Sequence, residues 1–96
     1  MNNYYVYMMA NRHNTTLYIG VTNDLCRRVY EHKSNIIKGF SAKYNCHKLV
    51  WYLQTENIEA AILKEKQMKK WKREFKENEI NNINPDWTDL YGELCS

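Results

Sequence analysis

The stretch Tyr18-Ile19-Gly20-Val21-Thr22-Asn23-Asp24-Leu25-Cys26-Arg27-Arg28-Val29-Tyr30-Glu31-His32 reads as the end of a strand, a polar turn and then a helix. In its first part Tyr18 and Gly20 point to one side while Leu17, Ile19 and Val21 point to the other, the period-2 alternation of a strand. Thr22, Asn23 or Asp24 can cap the helix, since each offers a side-chain oxygen to the unpaired amides of a first turn. Leu25 and Val29, helped by Cys26, form its apolar stripe. Arg28 and His32 lie one turn apart along the border of that stripe, where they would be partly fixed by the core and partly exposed. That pairing, fed by a strand tyrosine, belongs to a site more than to a core. Gly20 admits two readings, a close approach of another group to the backbone or a bulge at a strand end.

Toward the N-terminus, Tyr4-Tyr5-Val6-Tyr7-Met8-Met9 alternates so that Tyr5, Tyr7 and Met9 share one face against Tyr4, Val6 and Met8. The polar run from Ala10 to Thr15 joins this strand to the next, Thr16 to Val21, as an antiparallel hairpin. Toward the C-terminus the first helix fades near Ser34 and Asn35. The segment Lys38 to Asn45 then mixes basic, aromatic and small residues without a period and reads as a mobile loop. Interleaved basic and aromatic side chains suit a nucleic-acid backbone and its bases; a solvated loop with Phe40 and Tyr44 anchored in the core is the alternative. Leu49 to Leu53 is a third, well-buried strand. From Ile58 to about Lys76 one long helix is expected, its apolar face holding Ile58, Ala61, Ile62 and Met68, with Trp71 and Phe75 further round. Glu65 falls inside that face, where a carboxylate needs a cation, a hydrogen-bond donor or a metal. Pro85 enforces a turn in Asn84-Pro85-Asp86-Trp87, after which Trp87 can dock the tail onto the core. The order β-β-α-β-α predicts an α+β fold, a small three-stranded antiparallel sheet flanked by helices.

A chain of 96 residues has room for one modest core, so residues 1–96 are read as a single domain. The formal charge of +3 is mild, but Lys and Arg cluster between Asn23 and Lys48 and between Lys64 and Lys76, which suits a polyanionic partner. Cys26, Cys46 and Cys95 are odd in number and contain no C-x-x-C pair; they read as free thiols and argue for a reducing compartment. Cys46-His47 lacks the further ligands that a structural zinc site needs. Neither a membrane-length apolar run nor a signal-peptide layout is present, and a cytoplasmic protein is expected.

Tyr5-Val6-Tyr7 in the first strand, Tyr18-Ile19-Gly20 in the second, Arg28 and His32 behind it, and Glu65 four residues after Ala61 together resemble the GIY-YIG nuclease superfamily. The resemblance spans nearly the whole chain. Phe40-Ser41-Ala42-Lys43-Tyr44, the run from Glu65 to Arg73, and Asn84-Pro85-Asp86-Trp87 resemble its small stand-alone bacterial branch, the URI-domain type similar to the N-terminal domain of UvrC. Two departures stand out. Tyr5 occupies the position of the first motif's glycine, and Val21 stands where some relatives carry a lysine that could lower a tyrosine pKa.

The resemblance implies a divalent-metal-dependent endonuclease that hydrolyses DNA, with Mg²⁺ or Mn²⁺ held by Glu65. Arg28 would stabilise the charge of the pentavalent transition state, and Tyr7 matches the family's proposed general base. Tyr18 would orient water or support the tyrosine network, and His32 would relay a proton or bind phosphate. Lys33, Lys38, Lys43, Lys69 and Lys72 are candidate contacts to nucleic acid. Single-stranded DNA is favoured over duplex, because the chain has no spare helix for a major groove and has aromatic residues suited to stacking. The competing function is a nucleic-acid-binding module of the same fold with little or no cleavage. A protein-interaction module would instead need a large exposed apolar patch.

Overall fold

The computed structural model describes residues 2–95. Strands β1 (Tyr4–Ala10), β2 (Leu17–Thr22) and β3 (Lys48–Thr55) form one sheet in the order β2-β1-β3, and both pairings of the central strand are antiparallel. The β1–β2 hairpin closes over Asn11, whose Oδ1 accepts the backbone N–H groups of Thr15 and Thr16. The alternation in β1 is realised as read. Val6, Met8 and Ala10 enter one core with Ile19, while Tyr7 and Met9 enter another with Leu25, Val29 and Leu49.

The β1–β2 register is regular; the irregularity lies on the other side of β1, where Met8 pairs with Trp51 and Met9 with Leu49. Val50 is the extra residue of a bulge there, which explains why the third strand reads as a nearly continuous apolar run. Its carbonyl accepts a hydrogen bond from the buried Asn84 side chain at 3.0 Å. Asn84 also joins Thr88 through its Nδ2 and Oδ1, so the turn at Pro85 is fastened to the sheet. Trp87 packs against the first core, as expected.

Helix α1 (Leu25–Lys33) is capped by Asp24, whose side chain accepts from the Arg27 N–H, and it buries Leu25, Val29 and His32. Several expectations need correction. Residues 40–43 form a short helix, α2 (Phe40–Lys43), in place of a loop, while Phe40 and Tyr44 stay exposed instead of anchoring in the core. The long C-terminal helix divides into α3 (Ile58–Lys69) and α4 (Arg73–Ile83). Trp71 packs against the core at the break, and the Arg73 guanidinium donates to the backbone carbonyls of Asn14 and Thr15, turning the chain back along the hairpin loop. The apolar face of α3 is also narrower than its sequence suggests, since Ala61 and Met68 are buried but Ile58 and Ile62 are exposed. After the Pro85 turn comes the one-turn helix α5 (Tyr91–Leu94).

A further correction concerns the cysteines. Cys26 and Cys95 form a disulfide, and only Cys46 is free, buried beneath the hairpin, where burial raises its thiol pKa. Two cysteines so distant in sequence give no local pattern to read, and the bonded pair removes the cysteine argument for a reducing compartment. Among the described residues no helix is long and apolar enough to cross a membrane.

Candidate active site

Tyr7 sits in the middle of the central strand, directly opposite Gly20 in the edge strand β2. Its ring lies across that glycine: a Cβ at position 20 would come within 2.5 Å of the Tyr7 hydroxyl and 2.6 Å of Cζ. Of the two readings of Gly20, the structure supports close approach, because any larger residue would occupy the place of the phenol. The hydroxyl reaches His32 Nε2 at 2.8 Å, and on the far side of the imidazole Nδ1 meets Ser41 Oγ at 2.9 Å. Tyr18 flanks the pair, with its ring centroid 5.1 Å from that of His32 and 6.3 Å from that of Tyr7.

His32 is therefore no border residue. It is 2 % exposed, because the sheet below and α2 above close over the face of α1 on which it lies. Burial, with a smaller contribution from Arg28, lowers its pKa from 6.5 to about 4. At neutral pH the ring is uncharged and carries a single N–H. When the Tyr7 hydroxyl donates to Nε2, that N–H is on Nδ1 and donates to Ser41 Oγ, a complete chain with no polar atom left over. Ser41 was not predicted as a site residue; sequence contains only its place between Phe40 and Ala42, and nothing local ties it to His32.

Burial also drives the Tyr7 hydroxyl pKa above its ordinary value, with Tyr18 adding to the effect. Arg28 pulls in the opposite direction, and Glu65 adds a smaller upward push. Arg28 and Glu65 do not touch the Tyr7–His32 pair, yet the charge of each acts on the same hydroxyl. Arg28 is partly exposed, 3.7 Å from Glu31 and beside a polar hollow lined also by Asn23 and Arg27. Glu65 is held near the sheet by α3, which packs across β1 and β2. Its carboxylate is largely sheltered and meets Lys69 Nζ at 3.1 Å.

The predicted nucleic-acid lysines divide. Lys33 is turned toward the tail, bonded to Asp89 and lying over the Tyr91 ring; Lys69 is engaged by Glu65. Lys38, Lys43 and Lys72 are exposed, with Lys43 Nζ 5.5 Å over the ring of Tyr44.

The GIY-YIG catalytic-domain profile matches residues 3–78, which include both tyrosines, the arginine, the histidine and the glutamate. The chain belongs to the GIY-YIG family. GIY-YIG domains are nuclease-type folds that act on nucleic acid. A solution NMR structure of the UPF0213 protein BH0048 from Bacillus halodurans is similar, with a TM-score of 0.58, 23 % identity and 98 % of each chain covered. At that identity the likeness concerns the fold. Among curated proteins no match was found.

The GIY-YIG assignment raises the question of a divalent ion. Among the described residues no cluster of three or more His, Cys, Asp or Glu side chains is arranged to hold a metal. A hard divalent cation takes oxygen ligands, keeps several waters and accepts the rest from a substrate phosphate, so it can be held by a single carboxylate. Glu65 is a sheltered carboxylate with the oxygen chemistry such an ion takes, and here it is paired with Lys69.

Proposed function

We propose that this GIY-YIG domain is a divalent-metal-dependent endonuclease that hydrolyses DNA phosphodiester bonds, with single strands favoured over duplex. The observation that carries the reading is the buried Tyr7–His32–Ser41 chain, whose Tyr7 hydroxyl feels the opposed charges of both Arg28 and Glu65. Any buried tyrosine hydroxyl needs a partner, so it is the joint presence of the imidazole, the arginine and the glutamate around that hydroxyl that favours chemistry over packing.

The shifts in pKa support a relay over a free phenolate. With its hydroxyl pKa raised by burial, Tyr7 does not wait as an ionised base. As a water oxygen bonds to phosphorus, the bond to the leaving sugar oxygen breaks with its electron pair on that oxygen, which takes a proton from solvent. The water proton passes to Tyr7 Oη while the phenolic proton moves to His32 Nε2. The resulting imidazolium donates from both nitrogens, to Tyr7 and to Ser41, and the incoming phosphate charge favours it. Arg28 stabilises the extra negative charge of the transition state through its fork of donors. Glu65 would hold Mg²⁺ or Mn²⁺, which when bound supplies Lewis-acid neutralisation of the phosphate.

One observation favours a second reading, a nucleic-acid-binding module with little or no cleavage. Lys69 already occupies Glu65, so the carboxylate can be satisfied without a metal. Labelled single- and double-stranded DNA incubated with Mg²⁺ or Mn²⁺, and with chelator, decides between them when wild type is compared with Glu65→Ala and Arg28→Ala. Cleavage that needs the metal and disappears in both variants is expected. A wild type that cuts nothing, or a Glu65→Ala variant that cuts equally well, overturns the nuclease reading.

A further inference from the structure

The helix α2 brings aromatic side chains into a file that starts at the candidate site. Tyr18 and Phe40 stack with centroids 6.4 Å apart and planes at 27°, and Phe40 meets Tyr44 at 4.7 Å. Phe40 is 50 % and Tyr44 42 % exposed, so each keeps ring surface in water beside the polar chain of Tyr7 and His32. Beyond Tyr44 the file opens into a hollow of about 560 Å³ whose wall includes Arg12, His13, His47 and Lys48.

The charge around this strip is uncompensated. Among the described residues Arg12, Lys38, Lys43 and Lys48 meet no carboxylate; Lys48 donates instead to the neutral Asn14 Oδ1. Asp89, the acidic residue of the hollow, is already engaged by Lys33 and by the backbone N–H groups of Leu49 and Tyr91. Half-exposed rings followed by cations that meet no carboxylate match an alternation of bases and phosphates.

We infer that the strip from Tyr18 through Phe40 and Tyr44 into the hollow is a stacking subsite for an unpaired nucleotide next to the scissile phosphate. The inference rests on the nuclease reading and gives it a physical basis for choosing single strands, because paired bases in a duplex have both faces covered by their neighbours. The same turn of helix also carries Ser41, so a nucleotide on Phe40 would rest on the element that braces His32.

Binding in chelator, where nothing is cut, tests the subsite apart from the chemistry. Fluorescence anisotropy would compare a base-bearing single strand, an abasic strand of equal length and a duplex against wild type, Phe40→Ala, Tyr44→Ala and Phe40→Trp. Each alanine should weaken the base-bearing strand by about fivefold or more and leave the abasic strand unchanged, while tryptophan should preserve binding. Equal losses on base-bearing and abasic strands, unchanged affinity in both alanine variants, or a wild type that binds no single strand would each overturn the subsite. If the stacking pattern appears and no metal supports cleavage, the subsite stands and the nuclease reading fails. If DNA is cut and the alanines bind normally, the reverse holds.

Discussion

The two faces of the sheet are made from alternate residues of one strand and differ in kind. Val6, Met8 and Ala10 meet Ala61, Met68 and Ile80 in an apolar filling under α3 and α4. Tyr7, one residue along, belongs to the face under α1, where His32 and Ser41 are buried as a hydrogen-bonded series. The difference teaches that registry is what this small fold protects. A slip of a single residue would send Tyr7 into the apolar side and expose Val6 to the imidazole. The first face provides non-directional stabilisation alone; the second adds to its own apolar core a set of polar groups that are useful only in one arrangement.

Substitution at each face should separate these roles. The largest effect is expected for Glu65→Gln, which keeps shape but loses charge: cleavage should fall about a hundredfold or more, as for loss of a transition-state contact. Its unfolding free energy should stay within about 0.5 kcal/mol, since the pair with Lys69 is partly exposed. Matched denaturation and cleavage assays would check both, and a parallel loss of stability would make Glu65 a packing residue.

Acid tests the polar face through His32, when wild type is compared with a variant that lacks the imidazole. The folded pKa of His32, about 4, lies below its ordinary 6.5, so the folded state binds fewer protons than the unfolded state between those values. The stability contribution is complete above pH 6.5 and is lost as pH falls toward 4, on the order of 3 kcal/mol in all. Urea midpoints across that range should drop for wild type and flatten for His32→Gln. Equal slopes would mean that the imidazole is not held neutral.

Gly20→Ala should displace the Tyr7 ring and cost about a hundredfold in cleavage, the usual effect of misplacing a reacting group by an ångström. The smallest effect belongs to the apolar face: Met8→Leu should cost less than about 1.5 kcal/mol and leave cleavage unaltered. If Met8→Leu impaired cleavage as strongly as Gly20→Ala, the two faces would not be separable.

Much of the fold was legible because its rules are local. Alternation placed Tyr7 and Val6 on opposite faces, and the polar run Thr22 to Asp24 announced the start of α1, with the structure choosing Asp24 as its cap. The break between α3 and α4 was hidden, because no proline or glycine marks Lys70 to Lys72 and the cause is a contact of Arg73 with the distant hairpin loop. The burial of His32 was missed for a similar reason. A helical wheel sees one helix, whereas the lid over His32 is α2, too short to show any period. The resemblance to a family pointed to Tyr7, Tyr18, Arg28, His32 and Glu65, while Ser41 needed coordinates, since its partner lies on another element.

The bond between Cys26 and Cys95 gives the molecule a property of connectivity. The hairpin, with Tyr18, lies outside the covalent ring that this bond closes, whereas both long C-terminal helices and Phe40 and Tyr44 of the aromatic strip lie within it. A single protease cut anywhere inside the ring would leave one molecule, running at its full mass until a thiol reductant is added, when it would separate into two pieces. A cut in the loop between β1 and β2 would release the first strand at once on unfolding, reductant or not.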